Sequence, residues 1–247
     1  MSTWEQTLND LEAGRVRSAN FINGAWVANT DVKAQILEAF KAGVLKEENG
    51  FVDKHNLMPQ KFNVDRGIRI VPGGTSVRRG SYIAKGVIIM PPSYVNVGAF
   101  VDEGTMIDSH VLIGSCAQIG KRVHLSTAVQ IGGVLEPIGA APVIIEDEAF
   151  IGAGAIIVEG IQIKRRAVIA PGVILSKGIP IYDLVNKRIL NKGEPIPENA
   201  IVVPGNRPVK SDNPWANDLG LTLQCAVIVK YRDEKSEVSL VLEDFLR

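Results

Sequence analysis

Residues 95–131 read VNVGAFVDEGTMIDSHVLIGSCAQIGKRVHLSTAVQI, with Val95, Val101, Ile107, Ile113, Ile119, Leu125 and Ile131 standing six apart. The same phase runs back through Ile89 and Ile83 to Val77. After one break it resumes as Ile145, Ile151, Ile157, Ile163, Ile169, Leu175 and Ile181. That is ten positions and then seven, with no miss inside either block. A second track lies four residues after each aliphatic, as in Ala99, Thr105, Val111, Ala117, Val123 and Val129, and is small or β-branched almost throughout. A helix repeats every ~3.6 residues and a half-buried strand every ~2, so neither gives this period. A short strand and a turn, three to a coil, does. The pattern predicts a parallel β-helix of hexapeptide repeats.

The repeat dictates the packing. Each coil is a triangle with short parallel strands for sides. The large aliphatic points inward, and stacked copies form an apolar column. The small residue near each corner leaves room for the chain to turn. Glycines that follow the aliphatic (Gly114, Gly120, Gly132, Gly152) stand where a side chain would crowd the corner or force a strained dihedral. Strands in adjacent coils lie about 4.8 Å apart, so the five to six coils form a prism roughly 25–30 Å long. A single hexad buries almost nothing, so the stack is the folding unit.

Composition agrees. Of 247 residues 46% are hydrophobic but only 6% aromatic, which suits a narrow aliphatic prism. The 27 basic and 27 acidic residues cancel, which gives no argument for a nucleic-acid or anionic membrane partner. No run of eighteen apolar residues and no signal-peptide pattern is present. Cys116 and Cys225 have no metal-type spacing, and the plain expectation is a reduced, cytoplasmic protein without a metal. Cys116 reads as a neutral side chain of a coil.

Three parts follow. Residues 1–66 lack the six-period and form a small α/β domain, with a helical stretch over Val32–Ala42 and a hairpin turning at Asn23-Gly24. Residues 67–185 are the β-helix. Residues 186–247 form a capping segment with an alternating strand, Leu221–Tyr231, and an amphipathic end, Glu237–Leu246. Both flanks must cover the open ends of the apolar column. The step from Ile131 to Ile145 is fourteen, two more than two hexads, so a loop over Gly133–Ile144 is extruded from one corner. Loops leaving a regular solenoid are commonly functional.

Three functions suit such a prism: a coenzyme A-dependent acyltransferase, an antifreeze-like structural β-helix, or a non-catalytic scaffold. An antifreeze solenoid needs ranks of Thr on one outward face. Here the outward positions are varied and charged, as in Asp102-Glu103, Lys121-Arg122 and Lys164-Arg165-Arg166. A scaffold needs no extruded loop. The acyltransferase is favoured.

Several runs sharpen this: Ser93 to Asp108, Gly114 to Ser126, Ile131 to Pro137 with Pro142 to Asp147, and Leu223 to Lys230. Together they resemble the 2,3,4,5-tetrahydropyridine-2,6-dicarboxylate N-succinyltransferase family from about Leu11 to Arg247. The resemblance implies a left-handed β-helix, a homotrimer with active sites between subunits, and succinyl-coenzyme A as donor along the prism. It puts the acceptor near the extruded loop. The implied substrate-binding arginine is Arg69, in Ile68-Arg69-Ile70-Val71-Pro72. The implied catalytic and substrate-binding aspartate is Asp108, which closes Glu103-Gly104-Thr105-Met106-Ile107-Asp108. The chemistry fits both. A guanidinium fork pairs with a carboxylate of the acceptor, and a carboxylate can orient the attacking amine and take its proton. A corner aspartate bonding its own backbone is the other reading of Asp108. Coenzyme contacts are expected near Ala153 and Gly172. Lys177, with Lys187, Arg188, Lys192, Arg207 and Lys210, is expected to face the phosphates. His55, His110 and His124 are the only histidines, and none is assigned as base.

Two departures stand out. The family carries an arginine and an acid where this chain has Gly154 and Ile156, and its amino-terminal domain is longer by roughly a helix or two. They keep alive an N-acetyltransferase acting on the same acceptor with acetyl-coenzyme A, and a paralogue recruited to a related amino acid of the tabtoxin type.

Overall fold

The structure, a computed structural model, describes residues 3–48, 50–209 and 214–233. The six-residue phase becomes a three-sided prism. Its first face stacks Tyr82–Ile83, Phe100–Val101, Gln118–Ile119, Ile144–Ile145 and Gln162–Ile163. The second stacks Arg69–Ile70, Ile88–Ile89, Met106–Ile107, His124–Leu125, Phe150–Ile151 and Val168–Ile169. The third stacks Ser76–Val77, Tyr94–Val95, Leu112–Ile113, Gln130–Ile131, Ile156–Ile157 and Ile174–Leu175. Every pairing within these stacks is parallel. Partners stand three hexads apart, as in Phe100 with Gln118 and Met106 with His124, except for the three pairs that span the extruded loop, such as Gln118 with Ile144.

All seventeen aliphatic positions of the repeat are buried, none more than 6% exposed. The second track is buried with them, from Ala99 and Thr105 to Ala167 and Val173. Both tracks therefore fill one column. The polar members of the second track close on backbone carbonyls. Thr105 Oγ1 donates to the carbonyl of Gly120 at 2.8 Å and Ser93 Oγ to that of Met90 at 2.8 Å, as buried hydroxyls require.

One detail differs from the sequence reading and one is narrowed. Ile131 lies on the third face and Ile145 on the first, which are adjacent sides, and Gln118 pairs directly with Ile144. The fourteen-residue step is thus a single corner carrying extra chain, not two hexads plus two. The ladder runs unbroken beneath the loop. Of the two reasons offered for glycine after the aliphatic, crowding is the one that holds. Gly120 has no positive φ; a Cβ there would stand 2.4 Å from Asp147 Oδ1, so crowding by the next coil excludes a side chain. The left-handed residue lies three after the aliphatic. It is glycine at Gly154 (φ +68°), but His110, Cys116, Arg122 and Ala128 adopt the same conformation.

The amino-terminal part packs on the first face. Helix α1 spans Thr3–Glu12 and α2 spans Thr30–Ala42, with Asn29 Oδ1 accepting from the Val32 N–H at its start. Between them lies the hairpin Ala19–Ile22/Ala25–Ala28, whose turn residues Asn23 and Gly24 both have positive φ. Leu8, Leu11, Val32 and Ile36 make a second core against Val97 and Cys116 of the prism. At the other end, strand Ala200–Pro208 extends the second face beyond Val168–Ile169 and pairs antiparallel with Thr222–Tyr231. Ile196, Val202 and Ile228 close the apolar column there. Glu237–Leu246 lies outside the described residues.

Replacing Ile119 with Asp puts an unpaired charge into the centre of the column. The expected loss is several kcal/mol of folding free energy (roughly 3 or more), read by urea unfolding. A loss below about 1 kcal/mol would mean that the column does not hold the fold.

Candidate active site

Asp108 directly follows the inward Ile107 at the end of a second-face strand, so its side chain leaves the column. Its N–H donates to the carbonyl of Leu125 at 2.9 Å, which fixes the backbone. Oδ1 accepts from the N–H of Ser109 at 2.7 Å. The corner bond that the sequence offered as an alternative therefore forms, with one oxygen. Oδ2 has no hydrogen-bond partner among the described residues. Asp108 lines a cleft of about 310 Å³ together with Ser126, Thr127, Phe150, Gly152, Ala153 and Pro171.

Stacking builds this cleft. The row running up from Asp108 is Ser126, Gly152 and Ala170, set by the pairings of Ile107 with Leu125, Leu125 with Ile151 and Ile151 with Ile169. Phe150 forms part of the wall, and its ring stacks on His124 with centroids 4.9 Å apart. His124 thus braces the wall. At the outer end, the Gly172 N–H donates to the Ala153 carbonyl at 2.9 Å. The Ala153 N–H and the Gly172 carbonyl are left without partners among the described residues. A donor on the lining residue Ala153 and an acceptor one residue beyond the lining Pro171 match what an amide-bearing chain needs.

The other sequence-derived candidates are spread out. Arg69 is exposed on the same face, two rungs before Met106, and does not line the cleft. Lys177 lies across the third face from Gly172, since strand Ile174–Leu175 runs between them. With Lys192 and Glu194 it borders a separate hollow of about 200 Å³, and its N–H is held by Glu159. Arg188 pairs with Glu194 at 2.7 Å. Lys187 is exposed, Arg207 lies on strand Ala200–Pro208, and Lys210 is outside the described residues. Ile156 is half-buried in an outward row of the third face with Leu112, Gln130 and Ile174. His55 accepts through Nδ1 from the Val44 N–H, far along the chain from Asp108. His110 is exposed at a corner.

The extruded loop is fastened to the amino-terminal domain. Lys33 is fully buried, and its Nζ donates to the carbonyl of Ala140 at 2.7 Å. Burial lowers its pKa, while nearby Cys116 acts the other way. Cys116 itself is fully buried. Burial pushes its thiol up to about 11, against opposing effects of Ser18 and Lys33. A thiol so held is protonated at neutral pH and is no nucleophile. Among the described residues no group of three or more His, Cys, Asp or Glu converges to hold a metal ion, and no helix is long and apolar enough to cross a membrane.

A hexapeptide prism with an aspartate lining a cleft places the chain among the hexapeptide-repeat acyltransferases. Residues 142–177 match the family described as "Hexapeptide repeat of succinyl-transferase". A 2,3,4,5-tetrahydropyridine-2,6-dicarboxylate N-succinyltransferase of Legionella pneumophila (strain Corby) is 44% identical, over 98% of this chain and 87% of its own length. One from Rhodopseudomonas palustris (strain BisA53) is 45% identical, over 98% and 88%. The chain belongs to the 2,3,4,5-tetrahydropyridine-2,6-dicarboxylate N-succinyltransferase family, and its prism is that family's left-handed parallel β-helix. Among solved structures, a Campylobacter jejuni protein described as a 2,3,4,5-tetrahydropyridine-2-carboxylate N-succinyltransferase aligns over 92% of this chain and 62% of its own. That alignment has 14% identity and a TM-score of 0.46.

Native protein at pH 7–8 is expected to leave Cys116 unmodified by a thiol reagent, with reaction appearing only in denaturant. Rapid labelling of Cys116 in the folded state, read by mass spectrometry of peptides, would contradict its burial and raised pKa.

Proposed function

We propose that the protein transfers a succinyl group from succinyl-coenzyme A to the amino group of ring-opened 2,3,4,5-tetrahydropyridine-2,6-dicarboxylate, a step of diaminopimelate and lysine biosynthesis. Kinship over almost the whole chain with relatives of that name supports this. The single structural observation in its favour is the free Oδ2 of Asp108, a residue lining a cleft, with an unpaired N–H and carbonyl at Ala153 and Gly172.

The chemistry follows from those groups. An amine attacks a thioester only when unprotonated and aimed. Asp108 Oδ2 accepts a hydrogen bond from the acceptor amine, holds its lone pair toward the thioester carbon and takes the departing proton. Arg69 receives a carboxylate of the acceptor through its planar fork. The Ala153 N–H and Gly172 carbonyl meet the amides of the pantetheine arm. Lys177 and Lys192 meet its phosphates across the third face. The reaction is direct transfer, with no acyl-enzyme and no metal in the scheme, and the protein works in the cytoplasm.

Assembly completes the site. Within one prism the Asp108 cleft and the extruded loop lie on opposite edges of the third face. In a threefold homotrimer the loop of one subunit borders the cleft of the next, and brings the acceptor pocket to Asp108. Light scattering is expected to give three times the 26.7 kDa of one chain; a monomer would remove this arrangement.

A second reading has one observation behind it. The row Leu112, Gln130, Ile156 and Ile174 carries no charge, so this chain offers the acceptor an uncharged, mostly apolar wall where the resemblance places an acid. An acceptor amino acid with an apolar arm, or a shorter acyl donor, suits that wall. A thiol-release assay with succinyl- and acetyl-coenzyme A, against the dicarboxylate and against L-2-aminopimelate, separates the two.

With the preferred pair, Asp108→Asn is expected to lower kcat by about 10²–10⁴, with the coenzyme affinity and the trimer retained. Undiminished turnover in that variant would mean that another group deprotonates the amine.

A further inference from the structure

Ser126 is 5% exposed and lines the Asp108 cleft, yet its hydroxyl has no hydrogen-bond partner among the described residues. Its neighbours behave differently. Ser93 Oγ donates to the carbonyl of Met90, Thr105 Oγ1 to that of Gly120, and Thr127 Oγ1 to that of Ser109. A buried hydroxyl without a partner destabilises the protein that carries it. The fold has a simple remedy, because the same row carries glycine at Gly152 and alanine at Ala170. A small side chain is all that packing asks for at this position.

Register fixes where the hydroxyl stands. Ser126 follows Leu125 as Asp108 follows Ile107, and these strands pair. The hydroxyl is therefore one rung, roughly 5 Å, from the carboxylate. Two groups one rung apart can address two atoms bonded to the same carbon.

We propose that Ser126 is a catalytic residue that donates its hydroxyl hydrogen to the thioester oxygen of the acyl donor as that oxygen becomes an oxyanion. This rests on the acyl-transfer reading above. The acceptor nitrogen bonds to the thioester carbon, and the carbonyl π pair moves onto oxygen, toward Ser126. The N–H proton passes to Asp108. When the carbonyl re-forms, the carbon–sulfur bond breaks, and the departing thiolate takes the proton from Asp108. The hydroxyl keeps its own proton throughout. Its wall is partly aromatic, because Phe150 stands beside it. A preorganised donor in such a place acts mainly on the transition state.

The test compares wild type, Ser126→Ala and Ser126→Cys in the thiol-release assay, with a melting curve for each. Ser126→Ala is expected to lower kcat by about 10²–10³. Both KM values should stay within twofold, and the pH profile should keep its shape. Its Tm should equal or exceed that of wild type, because an unpaired buried hydroxyl has been removed. Ser126→Cys, a weaker donor of similar size, should fall between. A turnover within threefold of wild type in Ser126→Ala overturns the proposal. So does a raised acceptor KM at unchanged kcat, which would make the hydroxyl a ground-state contact. A loss of rate accompanied by a lower Tm also overturns it, as that marks a structural serine. If wild type releases thiol from no acyl-coenzyme A, the acyl-transfer reading itself fails, independently of the variants.

Discussion

The structure depends on one recurring contact: an aliphatic side chain every six residues, stacked on its counterpart one coil away. No coil can bury this side chain by itself. The parallel ladder holds the copies in line, and the apolar column in turn holds the ladder. The rule extends outward, since the residue after each aliphatic belongs to an outward row as strictly ordered as the column. A one-residue slip would turn Ile107 outward and Asp108 inward. The placement of the proposed base and the integrity of the core are thus one property of the chain.

The same contact explains the two flanks. A stack of triangles has two apolar ends and three faces to cover. At one end Ile196, Val202 and Ile228 continue the column into the carboxy-terminal hairpin. Asp183 ties this cap together. It accepts from the Asn186 side-chain amide at 2.8 Å, from the backbone of Asn186 and Val185, and from the Tyr231 hydroxyl at 2.8 Å. Burial alone would raise its pKa, but these bonds outweigh it and hold the carboxyl below the ordinary range. On the first face, the Arg17 guanidinium lies 3.7 Å over the Phe100 ring and hydrogen-bonds Gln118 at 2.8 Å. The amino-terminal domain thus grips the prism through polar and aromatic contacts as well as through its own small core.

The column was fully legible in the sequence because inward positions have a strong chemical preference. Outward positions have little, and there the reading thinned. Asp108 stands out only through resemblance to a family, whereas Ser126, Thr127 and Phe150 carry no signal that singles them out. Their meeting depends on which residues stack, and that depends on the break after Ile131. Counted as two hexads plus two, the break moves Phe150 and Ala153 onto another side of the triangle, away from Asp108. Counted as one corner with an insertion, it puts Ala153 beside the aspartate. For the glycines, crowding decides and the dihedral does not. Their lack of a side chain matters at Gly120 through the approach of Asp147, whereas the left-handed corners accept histidine, cysteine and arginine.

The loop of residues 132–143 leaves and re-enters the prism without breaking a rung, since Gln118 and Ile144 pair beneath it. Its length is therefore nearly invisible to the stability of the column: closing a longer loop adds a penalty that grows only with the logarithm of its length. Between its anchors, the buried Val143 and the Lys33 bond to Ala140, this segment can change in length while the rows that carry Asp108 stay in register. The coil stack holds the reacting geometry, and the unanchored part of the corner can vary what is presented to it.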